Sequence, residues 1–157
     1  MNQSAVNILL SQKPGELILQ ALRMLFEQDG HLFWYDANER SITHRFAMHL
    51  QTVFPEWHVD CEYNRDGIEP KRLQHLGLYP NAEDTDAKTV YPDIVAHIRG
   101  TSTNYLVMEI KKSTNPTDHG IDLAKLRGYR KELGYTFALF LELVAAADPD
   151  IKSVEWA

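Results

Sequence analysis

The sequence predicts an α/β fold of the α+β kind, a mixed central sheet flanked by helices, and three observations predict it. Two helical stripes come before any strand-like run. Strand-like runs with period-two alternation follow, the last two forming a hairpin about the polar turn at residues 100–103. A third helical stripe then leads into a continuous apolar run at 135–143, rich in β-formers, which reads as a central strand. The order is α, α, β, β-hairpin, α, β.

Residues 1–12 show no sustained period and read as a loose start. Pro14 suits the opening of a helix, where a missing N–H costs nothing. Leu17, Ile18, Ala21, Leu22 and Leu25 recur on a 3.6-residue stripe that ends at Asp29-Gly30. Residues 31–35 form an apolar link, either a short strand or a packed loop. A second helix is expected from Asp36, with Glu39 placed as in a capping box and Ile42, Phe46, Leu50 and Val53 as its buried stripe, until Pro55. Glu39 heads that stripe and should face the sheet.

Residues 58–63 alternate as a first strand, with Cys61 read as a buried thiol. Residues 64–90 read as a long insertion, mobile in part: a turn at 64–67, then a polar, acidic, aperiodic stretch at 81–86. After the hairpin, 113–116 is a loop. Asp118 or Asp122 can cap a third helix carrying Leu123, Leu126, Tyr129 and Leu133, which Gly134 closes. Residues 151–156 add an edge strand.

Composition bounds the chemistry. A chain of 157 residues with 44% hydrophobic and 24% charged residues is expected to form one domain spanning 1–157. A net charge of -6 argues against nonspecific coating of nucleic acid, whose affinity comes from neutralising phosphates, while leaving room for a local basic patch. One cysteine excludes an internal disulfide, and no apolar run is long enough for a signal or a membrane span, so a cytoplasmic location and no membrane partner are expected. The seven histidines lack metal-ligand spacing, and phosphate-loop, nucleophile-elbow and dinucleotide fingerprints are missing.

The chemistry lies in the hairpin. Alternation puts Ile94, Ala96 and Ile98 on one face and Asp93, Val95 and His97 on the other. In the second run Leu106, Met108 and Ile110 share a face, with Glu109 and Lys111 opposite. A hairpin centred on Thr101 sets Asp93 against Glu109, two carboxylates that repel unless something positive sits between them. That is a divalent-metal site in outline. His97, two residues along the Asp93 face, is either near the site or a plain surface residue.

Pro92-Asp93 followed by Glu109-Ile110-Lys111, on a hairpin between these elements, resembles the PD-(D/E)xK nuclease superfamily, which has the restriction-endonuclease-like fold, over roughly residues 36–143. The resemblance implies an αβββαβ core and hydrolysis of phosphodiester bonds, with DNA ahead of RNA. It implies Mg²⁺ or Mn²⁺ held by Asp93, Glu109 and the carbonyl of Ile110. Lys111 would orient or deprotonate the attacking water, and Glu39 would be the acidic residue of the first core helix. Lys125 and Tyr129 occupy positions where several branches carry a polar residue and a tyrosine. Lys112, Arg127, Arg130 and Lys131 would add a basic surface, so that Lys112, Lys125, Arg127, Tyr129 and Arg130 are the expected nucleic-acid contacts.

Plainer readings stand beside these. Asp93, Glu109 and Lys111 can be solvated residues of an open hairpin face, Glu39 a cap, and Lys125 and Tyr129 ordinary helix residues. Glu62 is a substitute candidate or a surface residue. Two other functions fit the same pattern: a nuclease-fold module that only binds nucleic acid, and one that binds a protein partner. A homodimer is also expected to be possible, since a chain of this size offers little surface to grip a duplex.

Overall fold

A computed structural model describes residues 1–67, 69–73 and 88–157 of the chain. Five helices are described: α1 (Gln3–Leu9), α2 (Gly15–Asp29), α3 (His31–Trp34), α4 (Glu39–Val53) and α5 (His119–Leu133). The central sheet is built from β1 (His58–Cys61), β6 (Ile94–His97), β7 (Asn104–Lys112), β8 (Phe137–Leu143) and β9 (Ile151–Trp156), in that spatial order. Between β1 and β6 lie two small ribbons, β2 (Arg65–Asp66) with β3 (Glu69–Pro70) and β4 (Arg72–Leu73) with β5 (Lys88–Thr89). The acidic stretch expected at 81–86 lies outside the described residues.

The sheet is mixed. β6 pairs antiparallel with β1 and β7, β8 runs parallel to β7, and β9 returns antiparallel. A parallel pair cannot be closed by a tight turn, and α5 is the connection that carries the chain from β7 back to β8. Side chains alternate, so the inner strands β6, β7 and β8 each feed two cores. Ile94, Ala96, Leu106, Met108 and Ile110 pack under α2 and α4 with Leu22, Phe46 and Leu50. Val95, Val107, Ala138 and Phe140 face α5 and meet Leu126 and Tyr129. The flanked, mixed α/β sheet expected from the sequence is therefore present, with neither face of the hairpin open to solvent.

Three local expectations are corrected. Residues 3–9 are helical, not loose: Asn2 accepts the N–H of Ala5 as N-cap, and Ala5, Val6 and Leu9 are buried. The helix packs beside β9, where Trp156 Nε1 donates to the carbonyl of Ile8. Residues 31–34 are one helical turn, and neither strand nor loop. The cap of α4 is Asn38, whose side chain accepts from Ser41 N at 2.8 Å. Asp36 instead sits at φ 49° in the turn after α3 and binds Lys112 Nζ at 2.6 Å. Of the two aspartates offered as caps for α5, Asp118 is the cap, accepting from Gly120 N. Gly134 closes that helix at φ 69°, a conformation in which a Cβ would be strained.

Candidate active site

The hairpin register places the carboxylates. Ile94 pairs with Met108, Val95 with Val107 and Ala96 with Leu106, so the same register carried one residue back sets Asp93 opposite Glu109. Asp93 lies just before β6 and accepts the N–H of Ile110 on Oδ2 at 2.7 Å. Glu109 is 3% exposed and faces α5. Its Oε2 meets Lys125 Nζ at 3.3 Å, while its Oε1 is buried with no hydrogen-bond partner. A carboxylate oxygen that no donor meets at full hydrogen-bond geometry in a dry interior is costly.

Burial pushes Asp93 up to about 6, against the pull of the Ile110 N–H and the charge of Lys125. Burial also lifts Glu109 well above the usual glutamate range, and the neighbouring Asp93 lifts it further. Lys125 is desolvated too, but Glu109, Asp122 and Asp93 more than offset that and hold its ammonium charged. Tyr129 is fully buried, and burial followed by the charge of Glu109 raises its phenol far above the ordinary value. Neither its hydroxyl nor Glu109 Oε1 makes a bond of full hydrogen-bond geometry, but a side-chain contact between the two residues also raises the phenol, so Tyr129 is set against that carboxylate.

Lys111 shares the Glu109 face, as alternation requires, but does not perform the expected task. Its ammonium donates to the carbonyl of Thr117 and stands 3.5 Å from Asp122 Oδ2, with no ion pair to Asp93 or Glu109 among the described residues. Asp122 also meets Lys125 Nζ at 3.4 Å, so it joins the two lysines. From the sequence Asp122 is only a candidate helix cap; its place one turn before Lys125 is the signal for this second role.

Glu39 reaches the end of β7, as expected. Its Oε2 accepts the N–H of Lys112 at 2.8 Å, and both its oxygens accept from Asn115 Nδ2. Lys112 Nζ is occupied by Asp36 and by the carbonyl of Ala37 at 2.7 Å. Glu39 and Asp93 line a cavity of about 400 Å³ together with Arg40, His44, Cys61 and Glu62. Glu62, at φ 49°, pairs with Arg40 at 3.0 Å on its rim. Burial pushes the Cys61 thiol up to about 11, which leaves it a protonated wall group and not a nucleophile.

Several expected contacts lie elsewhere. Tyr129 is buried beneath α5 and cannot touch a nucleic acid. Arg127 pairs with Glu155 at 3.7 Å and Arg130 donates to the carbonyl of Ala157. Both line a separate basic cavity near Gly134 and Thr136. Thr136 N donates to Asn104 O, at the start of β7, so this cavity sits roughly 17 Å along the strand from Glu109. His97 is buried and binds Asp60 Oδ2 at 2.9 Å, apart from the carboxylate pair.

No group of three or more His, Cys, Asp and Glu side chains arranged to hold a metal ion is present among the described residues. The register brings together two carboxylates, Asp93 and Glu109, and hard cations such as Mg²⁺ and Mn²⁺ are the ones that accept so few protein oxygens, keeping several non-protein ligands. No helix among the described residues is long and apolar enough to cross a membrane. Compared with models of known families, with curated proteins and with solved structures, the chain shows no match.

Proposed function

We propose that this protein is a metal-dependent phosphodiesterase of the nuclease type, acting on DNA in preference to RNA through Asp93 and Glu109. The observation that carries the reading is the buried carboxylate pair, Asp93 and Glu109, set opposite each other by the hairpin register and both raised by burial. The strand order β1-β6-β7-β8-β9, with α4 before it and α5 joining β7 to β8, supports a restriction-endonuclease-like core.

Asp93 and Glu109 would hold the cation, with the Ile110 carbonyl as the further ligand the resemblance suggests. When bound, Mg²⁺ or Mn²⁺ would neutralise the paired carboxylates and the charge that develops on the phosphodiester. The chain's own residues do the rest. The Ile110 N–H fixes the rotamer of Asp93, leaving its other oxygen for a ligand. Lys125 is the ammonium nearest the pair, and Glu109 and Asp122 hold it on that side, where it can orient a water or stabilise charge on a phosphate oxygen. Lys111 braces the 113–118 loop through Thr117. Glu39 is a positioning residue that pins the end of β7 beside the cavity.

A second reading, a quiet nuclease-fold module that binds nucleic acid or a protein, is favoured by one observation: Lys111 is committed to Thr117 and Asp122, and Glu109 is nearly closed to solvent. One experiment separates the two. Linear, circular and single-stranded DNA and RNA are incubated with the protein in Mg²⁺, Mn²⁺ and EDTA, beside Asp93→Ala and Glu109→Gln. Cleavage that needs the metal and falls more than about 100-fold in both variants is expected. A wild type that cuts nothing, or variants that cut as well as it does, would sink the enzyme reading.

A further inference from the structure

We infer that the substrate is a single-stranded nucleic acid, gripped by a cationic cavity at α3 and α4 and by the exposed aromatic pair Trp34–Tyr35. This rests on the nuclease reading of Asp93 and Glu109 and names what that site would act on.

The cavity, of about 540 Å³, is lined in part by His31, Arg40, His44 and Arg45. Its carboxylate, Asp29, is 6% exposed and already accepts from Arg45 Nε at 2.8 Å and His49 Nε2 at 2.7 Å. Asp29 therefore presents little negative charge at the opening, where Arg40, with a side chain 85% exposed, pairs at 3.0 Å with the half-exposed Glu62, a surface pair weak enough for the guanidinium to exchange that carboxylate for a phosphate. Guanidinium and imidazole groups converging on a cavity suit phosphate oxygens. Arg40 and His44 also line the cavity that contains Asp93. A strand seated by a phosphate in the first cavity thus brings a neighbouring phosphodiester toward the carboxylates.

The aromatic pair supplies the second half of the grip. Trp34 and Tyr35 are 64% and 72% exposed, and their rings stack at 4.9 Å and 30°. Their neighbour Phe33 takes the core position of this turn and is fully buried, so the two outer rings contribute nothing to the interior. They lie in the chain between His31 and Asn38, both of which line the cationic cavity. An aromatic platform beside a cationic cleft is how unpaired bases and their backbone are held together; bases in a duplex are already stacked and offer no free face.

The test measures fluorescence anisotropy of labelled 15-nucleotide single strands, DNA and RNA, and of a 15-base-pair duplex, with the full chain in EDTA at low salt. Cleavage of the same molecules in Mn²⁺ is followed in parallel. Single strands should bind at least about tenfold more tightly than the duplex, and Trp34→Ala/Tyr35→Ala should lose about tenfold or more of that affinity. Arg40→Ala should weaken binding and flatten its salt dependence, while Arg23→Ala, an exposed arginine of α2, should not. Equal folding of the variants is checked by their unfolding midpoints. Duplex bound as tightly as single strand, or aromatic variants that bind like wild type, overturn the inference; Asp93-dependent cleavage in that case leaves the nuclease reading standing. Trp34-dependent binding of single strands with no cleavage overturns the nuclease reading and, with it, the assignment of that strand as substrate. No binding of any nucleic acid overturns the inference.

Discussion

Lys125 Nζ lies 3.3 Å from Glu109 Oε2, so the ammonium that answers the buried carboxylate comes from α5 and not from Glu109's own strand. Removing one partner of a buried pair strands the other charge, at a cost of roughly 3 kcal/mol or more when both are dry. Lys125 is 28% exposed, so water recovers part of that. We expect Lys125→Ala to lose about 2 kcal/mol in urea unfolding at pH 8. The loss should shrink as the pH is lowered, because burial and the neighbouring Asp93 favour the protonated form of Glu109. Adding Glu109→Gln should restore most of it, and equal stability of the single and double variants would show that the two groups are not coupled.

Asp93 predicts a pH slope of unusual sign for a carboxylate. Its value of about 6 in the folded protein exceeds the roughly 3.9 of an unfolded aspartate. Between those values the native state binds more protons than the unfolded state, so stability falls as pH rises from about 4 to about 6. Asp93→Asn should remove the slope, since the amide oxygen can still accept from Ile110. The expected gain is about 1–2 kcal/mol at pH 7.5 and close to nothing at pH 4, discounted for partial solvent access from the full two-unit shift. A variant less stable than wild type at pH 7.5 would contradict it.

The same repulsion makes metal binding visible without any substrate. A divalent cation should bind the ionised pair and stabilise the folded state by mass action, about 3 kcal/mol at a hundredfold excess over Kd. Thermal unfolding in Mn²⁺ should shift upward at pH 7.5, shift much less at pH 5, below the value of about 6 for Asp93, and not shift in Asp93→Asn. A shift of the same size in that variant would place the cation elsewhere.

How far the sequence could be read depended on whether the deciding contact was local. The β6–β7 register at the carboxylates was legible because period-two alternation about the turn at Gly100, with φ 74°, sets the pairs Ile94–Met108 to Ala96–Leu106, whereas the one-residue shift between Ala96 and His97, nearer the turn, was not. The buried stripe of α4 was legible for the same reason. The cap was misread because Asp36 and Asn38 are chemically alike, and what separates them is Lys112, 76 residues away, which draws Asp36 out of the capping role. α1 escaped notice because three buried apolar residues in a seven-residue helix make no readable stripe, and it packs on β9 from the other end of the chain. Alternation put Lys111 on the correct face, but four flexible carbons let its ammonium settle on Thr117 and Asp122, beyond what register can specify. Trp34 and Tyr35 look like core residues in any sequence; only their exposure distinguishes them.

Glu39 offers the sharpest separation of scaffold from chemistry. Its carboxylate already accepts from the Lys112 N–H and from Asn115, contacts that join α4 to the end of β7 and the loop beyond. Glu39→Ala leaves the Lys112 N–H without its acceptor and should cost about 2 kcal/mol, in the range for a hydrogen bond to a charged group. Glu39→Gln keeps an acceptor oxygen at the same reach and should cost less than about 1 kcal/mol, the difference between a charged and a neutral bond. Cleavage by the Gln variant should stay within a few-fold of wild type, since a brace needs an oxygen and not a charge. If Glu39→Gln instead keeps its stability and loses cleavage by orders of magnitude, the negative charge itself is required. Glu39 would then belong with Asp93 and Glu109 as a group that acts on the substrate or its metal.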